Sequence, residues 1–300
     1  MYKNIHQAVL IRLALAWFLL CSVLGAIVSY LAVGKPDALM LEPVTVAVVV
    51  LVTLIAIYPI VISLNQGLFK LSAALLKSNV ELMEVLGSAV AKRDADTHVH
   101  NYRVTIYAIR LAEALGLSEH EIRRLMTGAF LHDVGKIGIA DAVLRKPKSL
   151  TDEEANMLRA HVALGVDIIS KANWLEGARD VVEFHHEKFD GSGYLKGLKG
   201  DGIPLNARIF AIVDVFDALT SRRPYKEPLS FDDAMAIVHR GRGSHFDPRL
   251  VDAFDTVAPR LFSEINSAED GVVEGALRGL VDRYFLGFEN LPRRRGMQTV

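Results

Sequence analysis

The sequence predicts an all-α protein, a two-helix transmembrane hairpin at the N-terminus followed by a helical domain built to hold metal. Three observations predict it. Two uncharged runs of 21 residues lie close together near the start of the chain. Beyond them apolar residues recur at three- and four-residue steps between capping signals, without the alternating runs of strands. His and Asp recur through this second part at positions suited to a metal cluster.

Three hundred residues allow one or two domains and a large core. The balance of 34 Lys plus Arg against 35 Asp plus Glu leaves a net charge of −1, so no global basic field exists and no DNA binding is expected. The single cysteine, Cys21, excludes an internal disulfide framework.

The uncharged runs cover about residues 13–33 and 44–64, and as helices each reaches about 30 Å, the depth of a bilayer's hydrocarbon. The first exceeds the ~7–15 apolar residues of a signal peptide. Residues 1–64 are therefore expected to form a membrane anchor, with Pro59 kinking the second span. Lys3 and Arg12 precede the first span and Lys70 and Lys77 follow the second, while the short connection sets one Lys against Asp37 and Glu42. The positive-inside rule then puts both ends in the cytoplasm, giving a multi-pass protein of the bacterial inner membrane.

Residues 65–90 carry a heptad pattern, with Leu68, Leu75, Leu82 and Ala89 on one seam and Leu71, Ser78 and Val85 on the other. A parallel coiled coil joining two copies and an amphipathic helix lying against its own domain fit equally well. Residues 91–265 form the helical domain. A helix through 102–117 stops at Gly116; Ser118 with Glu121, and Thr151 with Glu154, are capping boxes that start two further helices. A Gly-rich stretch over 190–204 interrupts the helices, and a loop of that length in a compact domain is more often functional than plain. Residues 266–300 are read as a C-terminal tail.

Asp96 and His100 share a helix face, the adjacent pair His132-Asp133 follows, His161 stands after the second capped helix, and His185-His186 precede the Gly-rich loop. Asp214 lies in an apolar helix, where an unpaired carboxylate is costly and calls for a cation, either a metal or an arginine. Oxygen and imidazole donors of this kind suit iron or manganese better than a thiolate metal.

The ordered motifs Leu131-His132-Asp133-Val134-Gly135-Lys136-Ile137, His161, the run 185–194 from His185-His186 to Gly193-Tyr194, the run 203–209, Val213-Asp214-Val215-Phe216-Asp217, Arg223-Pro224-Tyr225-Lys226 and His245-Phe246-Asp247-Pro248 resemble the HD-GYP family of cyclic di-GMP phosphodiesterases. The resemblance covers about residues 85–260. It implies an HD-type helical phosphohydrolase domain holding two or three divalent metal ions, iron or manganese, that cuts cyclic di-GMP to pGpG and on to GMP by means of a bridging hydroxide. It implies metal ligation by Asp96, His100, His132, Asp133, His161, His185, His186 and Asp214, with Asp133 bridging the ions. Asp96 stands where members with three metals carry a Glu, so two and three ions both stay open.

The same resemblance makes Asp133 and Lys136 the catalytic pair, Lys136 holding a nonbridging phosphate oxygen, and gives Lys136, Asp190, Gly191, Arg223 and Lys226 to the substrate. Two departures stand out. The family's Gly-Tyr-Pro is Gly193-Tyr194-Leu195, a surface on which members meet protein partners, and the His-Pro usual at the third ligand is His161-Val162. A receptor that binds cyclic di-GMP without cutting it, and a phosphohydrolase for another cyclic nucleotide, are the alternatives.

Overall fold

The computed structural model describes Gly25 and residues 38–93, 98–146, 149–222 and 227–286. The first expected span, apart from Gly25, lies outside the described residues, as do Asp96, Arg223 and Lys226. The chain divides into two compact units, Met1–Leu75 and Leu76–Val300.

Helix α1 (Ala38–Arg93) runs unbroken for 56 residues, through Pro59, and contains the second expected span. Among the described residues it is the one helix long and apolar enough to cross a membrane, and the apolar window is not buried. In the second unit, Leu76, Val80, Met83, Leu86 and Val90 pack that end of α1 into the domain core. Over residues 76–90 the packing is that of the amphipathic helix lying against its own domain. The packed residues follow one stripe, whereas the heptad positions occupy another, Leu82 and Val85 remaining 49% and 65% exposed.

The second unit is all α; among its described residues the only β feature is an isolated bridge between Arg242 and Phe246. Helices α2 (His98–Ala114) and α3 (Glu119–Leu131) are followed by a 3-10 turn, Val134–Gly138, and by the short helices α4 (Asp141–Leu144), α5 (Asp152–Arg159), α6 (His161–Ile169) and α7 (Arg179–Phe184). After the Gly-rich loop come α8 (Leu205–Thr220), α9 (Phe231–Arg240), α10 (Pro248–Leu261) and α11 (Asp270–Val281). Both expected capping boxes are present, Ser118 with Glu121 and Thr151 with Glu154. Each satisfies two amides that a helix start otherwise leaves without partners, worth about 1 kcal/mol.

At the centre, α2 buries Val104, Tyr107, Ile109 and Leu111 against α3, α8, α10 and α11. Phe216 of α8 meets Tyr107 and Phe254 edge to face, at 5.8 and 5.1 Å between ring centroids. Aromatic side chains of this size supply much of a core's burial energy, and edge-to-face pairs add about 1 kcal/mol each. The tail reading of 266–300 is corrected over its first part. Val273, Leu277, Leu280 and Val281 of α11 recur at helical steps and lie fully inside the core, joined by Tyr284 and Phe285. The Tyr284 hydroxyl donates to Glu113 of α2 at 2.6 Å.

The last residue of α1, Arg93, donates to the main-chain carbonyls of Lys136, Ile137 and Ile139 and to the Asp141 carboxylate. Arg145 in turn donates to the carbonyls of Lys92 and Arg93. The end of α1 is thereby fastened to the turn that follows His132-Asp133.

Candidate metal centre

The His132-Asp133 pair does not lie within a helix. Helix α3 ends at Leu131, His132 is its C-cap, and Asp133 opens the 3-10 turn. The tighter 3-10 repeat sets residue i+3 beside residue i, and Lys136 Nζ accordingly lies 2.7 Å from Asp133 Oδ2. This brings both side chains of the pair to one side, which the ~100° step of an α-helix opposes.

Around Asp133 two groups of donors converge, His161 with His185 and His186, and His100 with His132 and Asp214; within each, one ligand atom per residue lies within 4.8 Å of the others. Asp133 stands between them. Its Oδ1 is 3.4 Å from His161 Nε2 and its Oδ2 is 3.0 Å from His132 Nε2. His100 Nε2 lies 3.4 Å from Asp214 Oδ1. All of these residues except His161 line a cavity of about 390 Å³ whose wall also includes Lys136.

The tautomers follow from the anchors. His132 Nδ1 faces the Ala129 carbonyl at 2.9 Å, His161 Nδ1 that of Leu158 at 2.6 Å, and His185 Nδ1 that of Val181 at 3.0 Å. A carbonyl only accepts, so each Nδ1 carries the proton, and the Nε2 of His161 and of His185 keeps its lone pair. Those two Nε2 atoms are buried without a hydrogen-bond partner. In His161 a lone pair faces a carboxylate oxygen at 3.4 Å, two acceptors that only a cation reconciles. The donor set therefore fits metal ions, held through Nε2 of the histidines and the carboxylates of Asp133 and Asp214.

The electrostatics divide the two donor groups. Burial lowers His161, pushes His185 well below the ordinary imidazole range, and takes His186 down to about 4, so all three stand neutral as ligands must. Burial also opposes the charged forms of His100 and His132, yet the carboxylates beside them prevail. His100 rises to about 10 through Asp214 and Asp217, and His132 rises through Asp133. Against its own burial, Asp133 is held well below the usual carboxylate range by Lys136 and His132.

The loop after His186 is pinned by Glu187, which the sequence reading passed over. Its Oε1 accepts from the amides of Lys196 and Gly197, at 2.8 and 3.1 Å. The Tyr194 ring stacks on His186 at 4.6 Å, and the Arg159 guanidinium lies over the same ring, 5.5 Å from its centroid. Leu195 has φ +96°, and no other non-glycine residue among those described has positive φ. Asp190 is exposed and accepts from the Ser192 amide, closing a turn, and Gly191 follows it at φ +86°; neither lines the cavity. In the last motif Asp247 is structural. It is buried, caps α10 by accepting from the Arg249 amide, and pairs with Arg208.

Residues 75–250 match the HD domain family. The chain belongs to that family. Its His-Asp pair and the His-His-Glu and Gly-Tyr motifs are those of the HD-GYP branch. It is 43% identical over 194 residues to the cyclic di-GMP phosphodiesterase response regulator RpfG of Xanthomonas campestris, covering 64% of this chain and 51% of that protein. It is 40% identical over 176 residues to a cyclic di-GMP phosphodiesterase of Thermotoga maritima, covering 58% and 48%. It is also 40% identical over 201 residues to 3'3'-cGAMP-specific phosphodiesterase 2 of Vibrio cholerae, covering 66% and 38%. The chain thus spans about half the length or less of these relatives. The crystal structure of a cyclic GMP-AMP specific phosphodiesterase of V. cholerae shares the fold, with a TM-score of 0.53 at 20% identity over 68% of this chain and 54% of that one.

Proposed function

We propose that the chain is a membrane-anchored, metal-dependent phosphodiesterase that hydrolyses cyclic di-GMP to pGpG. The observation that carries this is Asp133 standing between two donor groups, each offering imidazole Nε2 atoms, with a lysine at its side. Two divalent ions, when bound, supply an activated water and Lewis acidity toward the phosphoryl oxygens. Manganese and iron suit this oxygen and imidazole set. Asp96 is the residue that would help hold a third ion.

The chain's own residues do the rest. Asp133 serves both donor groups. Once its carboxylate is engaged there, the Lys136 ammonium, now 2.7 Å away, is placed to hold a nonbridging phosphate oxygen where charge builds up. Arg223 and Lys226 extend the substrate site toward the second phosphate or guanine, a task that a planar guanidinium suits, with Asp190 and Gly191 at its edge. Cyclic di-GMP is favoured as substrate by the names of relatives at 40–45% identity, and a 3′,3′-linked mixed dinucleotide is the competing substrate.

The apolar part of α1 and the run 13–33 make the anchor, with the catalytic domain on the cytoplasmic side. The exposed heptad positions Leu68, Leu71, Leu75, Leu82 and Val85 are the surface for a second copy, and the Gly193-Tyr194-Leu195 loop the surface for other protein partners.

The test is hydrolysis of cyclic di-GMP and of 3′3′-cGAMP by the manganese-loaded full chain, beside His132→Ala and Asp133→Ala. Turnover of the first substrate, lost in both variants, is the expected result. Activity retained by Asp133→Ala at equal metal content refutes the assignment, binding without turnover would make the chain a receptor, and faster cutting of 3′3′-cGAMP would change the substrate.

A further inference from the structure

Three of the buried histidines anchor Nδ1 on main-chain carbonyls, but His100 differs. Its Nδ1 lies 2.6 Å from Asp217 Oδ2. Asp217 is on α8 three residues after Asp214, is 0% exposed, and is held at both oxygens. Arg103 Nε donates to its Oδ1 at 2.5 Å and the same guanidinium reaches Oδ2 at 3.2 Å. Arg103 then continues to the Ser221 hydroxyl at 2.7 Å, and the Ser221 amide returns to the Asp217 carbonyl.

A buried ion pair needed only for the core would be complete with Arg103 and Asp217. Here one carboxylate oxygen also accepts from the imidazole Nδ1–H, which leaves Nε2 of His100 as the nitrogen turned toward Asp214 and His132, the one that would bind a metal in exchange for its proton. A carboxylate acceptor differs from a carbonyl in placing a full negative charge behind the ring, and this raises the ring's strength as a donor. His161 and His185 have carbonyl anchors only.

We propose that Asp217 is a positioning residue for the His100–His132–Asp214 metal subsite, acting through His100 and leaving the His161–His185–His186 subsite unaffected. This rests on the cluster being a metal centre. Losing an outer partner of a ligating histidine costs roughly 10–100-fold in metal affinity.

The test is a manganese titration of the purified full chain by equilibrium dialysis, comparing wild type, Asp217→Asn and Arg103→Lys. In Asp217→Asn one ion is expected to bind ~10–100-fold more weakly, with the other within about twofold of wild type. Arg103→Lys keeps a cation on Asp217 and is expected to bind both ions as wild type does. Folded Asp217→Asn that binds both ions normally, or both equally weakly, overturns the proposal. Should Asp217→Asn fail to fold, histidine nitrogen NMR of the wild-type chain with zinc as a diamagnetic probe decides. A proton on Nδ1 and metal on Nε2 of His100 support the proposal, and the reverse overturns it. A wild-type chain that takes up neither metal refutes the metal centre itself, a result distinct from failure of the Asp217 role.

Discussion

Replacing Gly135 by alanine adds one methyl group between the two halves of the metal site. Gly135 lies in the 3-10 turn between Asp133 and Lys136, where a Cβ would sit 1.8 Å from the His161 carbonyl oxygen and 2.4 Å from the Gly165 amide nitrogen. Real Cβ contacts essentially never fall below 3.0 Å, and both neighbours are main-chain atoms of α6 that cannot rotate aside. The turn and α6 must therefore separate by more than an ångström. His161 rides on one and Asp133 on the other, their donor atoms now 3.4 Å apart. Metal sites tolerate errors of about half an ångström in ligand position, and a 1 Å misplacement costs about 100-fold in rate. Gly135→Ala is expected to lose at least ~100-fold in hydrolysis, to bind metal more weakly, and to lose about 3 kcal/mol of stability from overpacking. Gly138→Ala is the control. Its Cβ would meet a Leu164 methyl at 2.8 Å, a side chain that can turn away, and about 1 kcal/mol is expected. Manganese titration and urea unfolding measure both. A Gly135→Ala chain with wild-type metal affinity and an unchanged midpoint refutes the reasoning.

Restoring the family's proline at Leu195 should damage this protein. Proline fixes φ near −65° and cannot take +96°, so Leu195→Pro is expected to loosen the loop over 190–197, read as faster proteolysis there, whereas Leu195→Gly is tolerated; slower cleavage of Leu195→Pro refutes this. Glu187→Ala removes the acceptor of two amides and should speed hydrogen exchange at Lys196 and Gly197 by about tenfold, near 1.4 kcal/mol; unchanged protection argues that the loop is held otherwise. In the metal-free chain His186, lowered from 6.5 to about 4, keeps the folded state short of protons over that range. Stability is then lost as pH falls from 6.5 toward 4, by about 3 kcal/mol at most from this residue. His100, raised from 6.5 to about 10, contributes stability that is present below 6.5 and lost as pH climbs toward 10. Urea midpoints across pH should peak near neutrality, and a profile still rising at pH 9 contradicts the His100 assignment.

Much of the site was legible because its residues are polar where the chain is otherwise apolar. His132-Asp133, His161, His185-His186 and Asp214 stood out by type and order as candidates, and the structure brings their donor atoms together in two groups on either side of Asp133. The capping boxes were legible for the same local reason, since each closes within four residues. Contacts that join distant segments were not. Asp217 meets His100 across 117 residues and Arg103 across 114, and in sequence it is merely a second acid in an apolar run. Glu187 was closer to legible, as an acid directly after the His185-His186 pair. The tail was misread because Val273, Leu277, Leu280 and Val281 form a stripe only four residues wide, indistinguishable in isolation from a surface helix.

Arg93 gives α1 a mechanical meaning. A helix is stiff along its axis, rising 1.5 Å per residue through continuous hydrogen bonds. Its final side chain holds three carbonyls of the segment from Lys136 to Ile139, while Arg145 holds its last carbonyls in return. The end of α1 and the turn that carries Lys136 are therefore held in one register by five hydrogen bonds from two arginines, and any displacement of one relative to the other would have to break them.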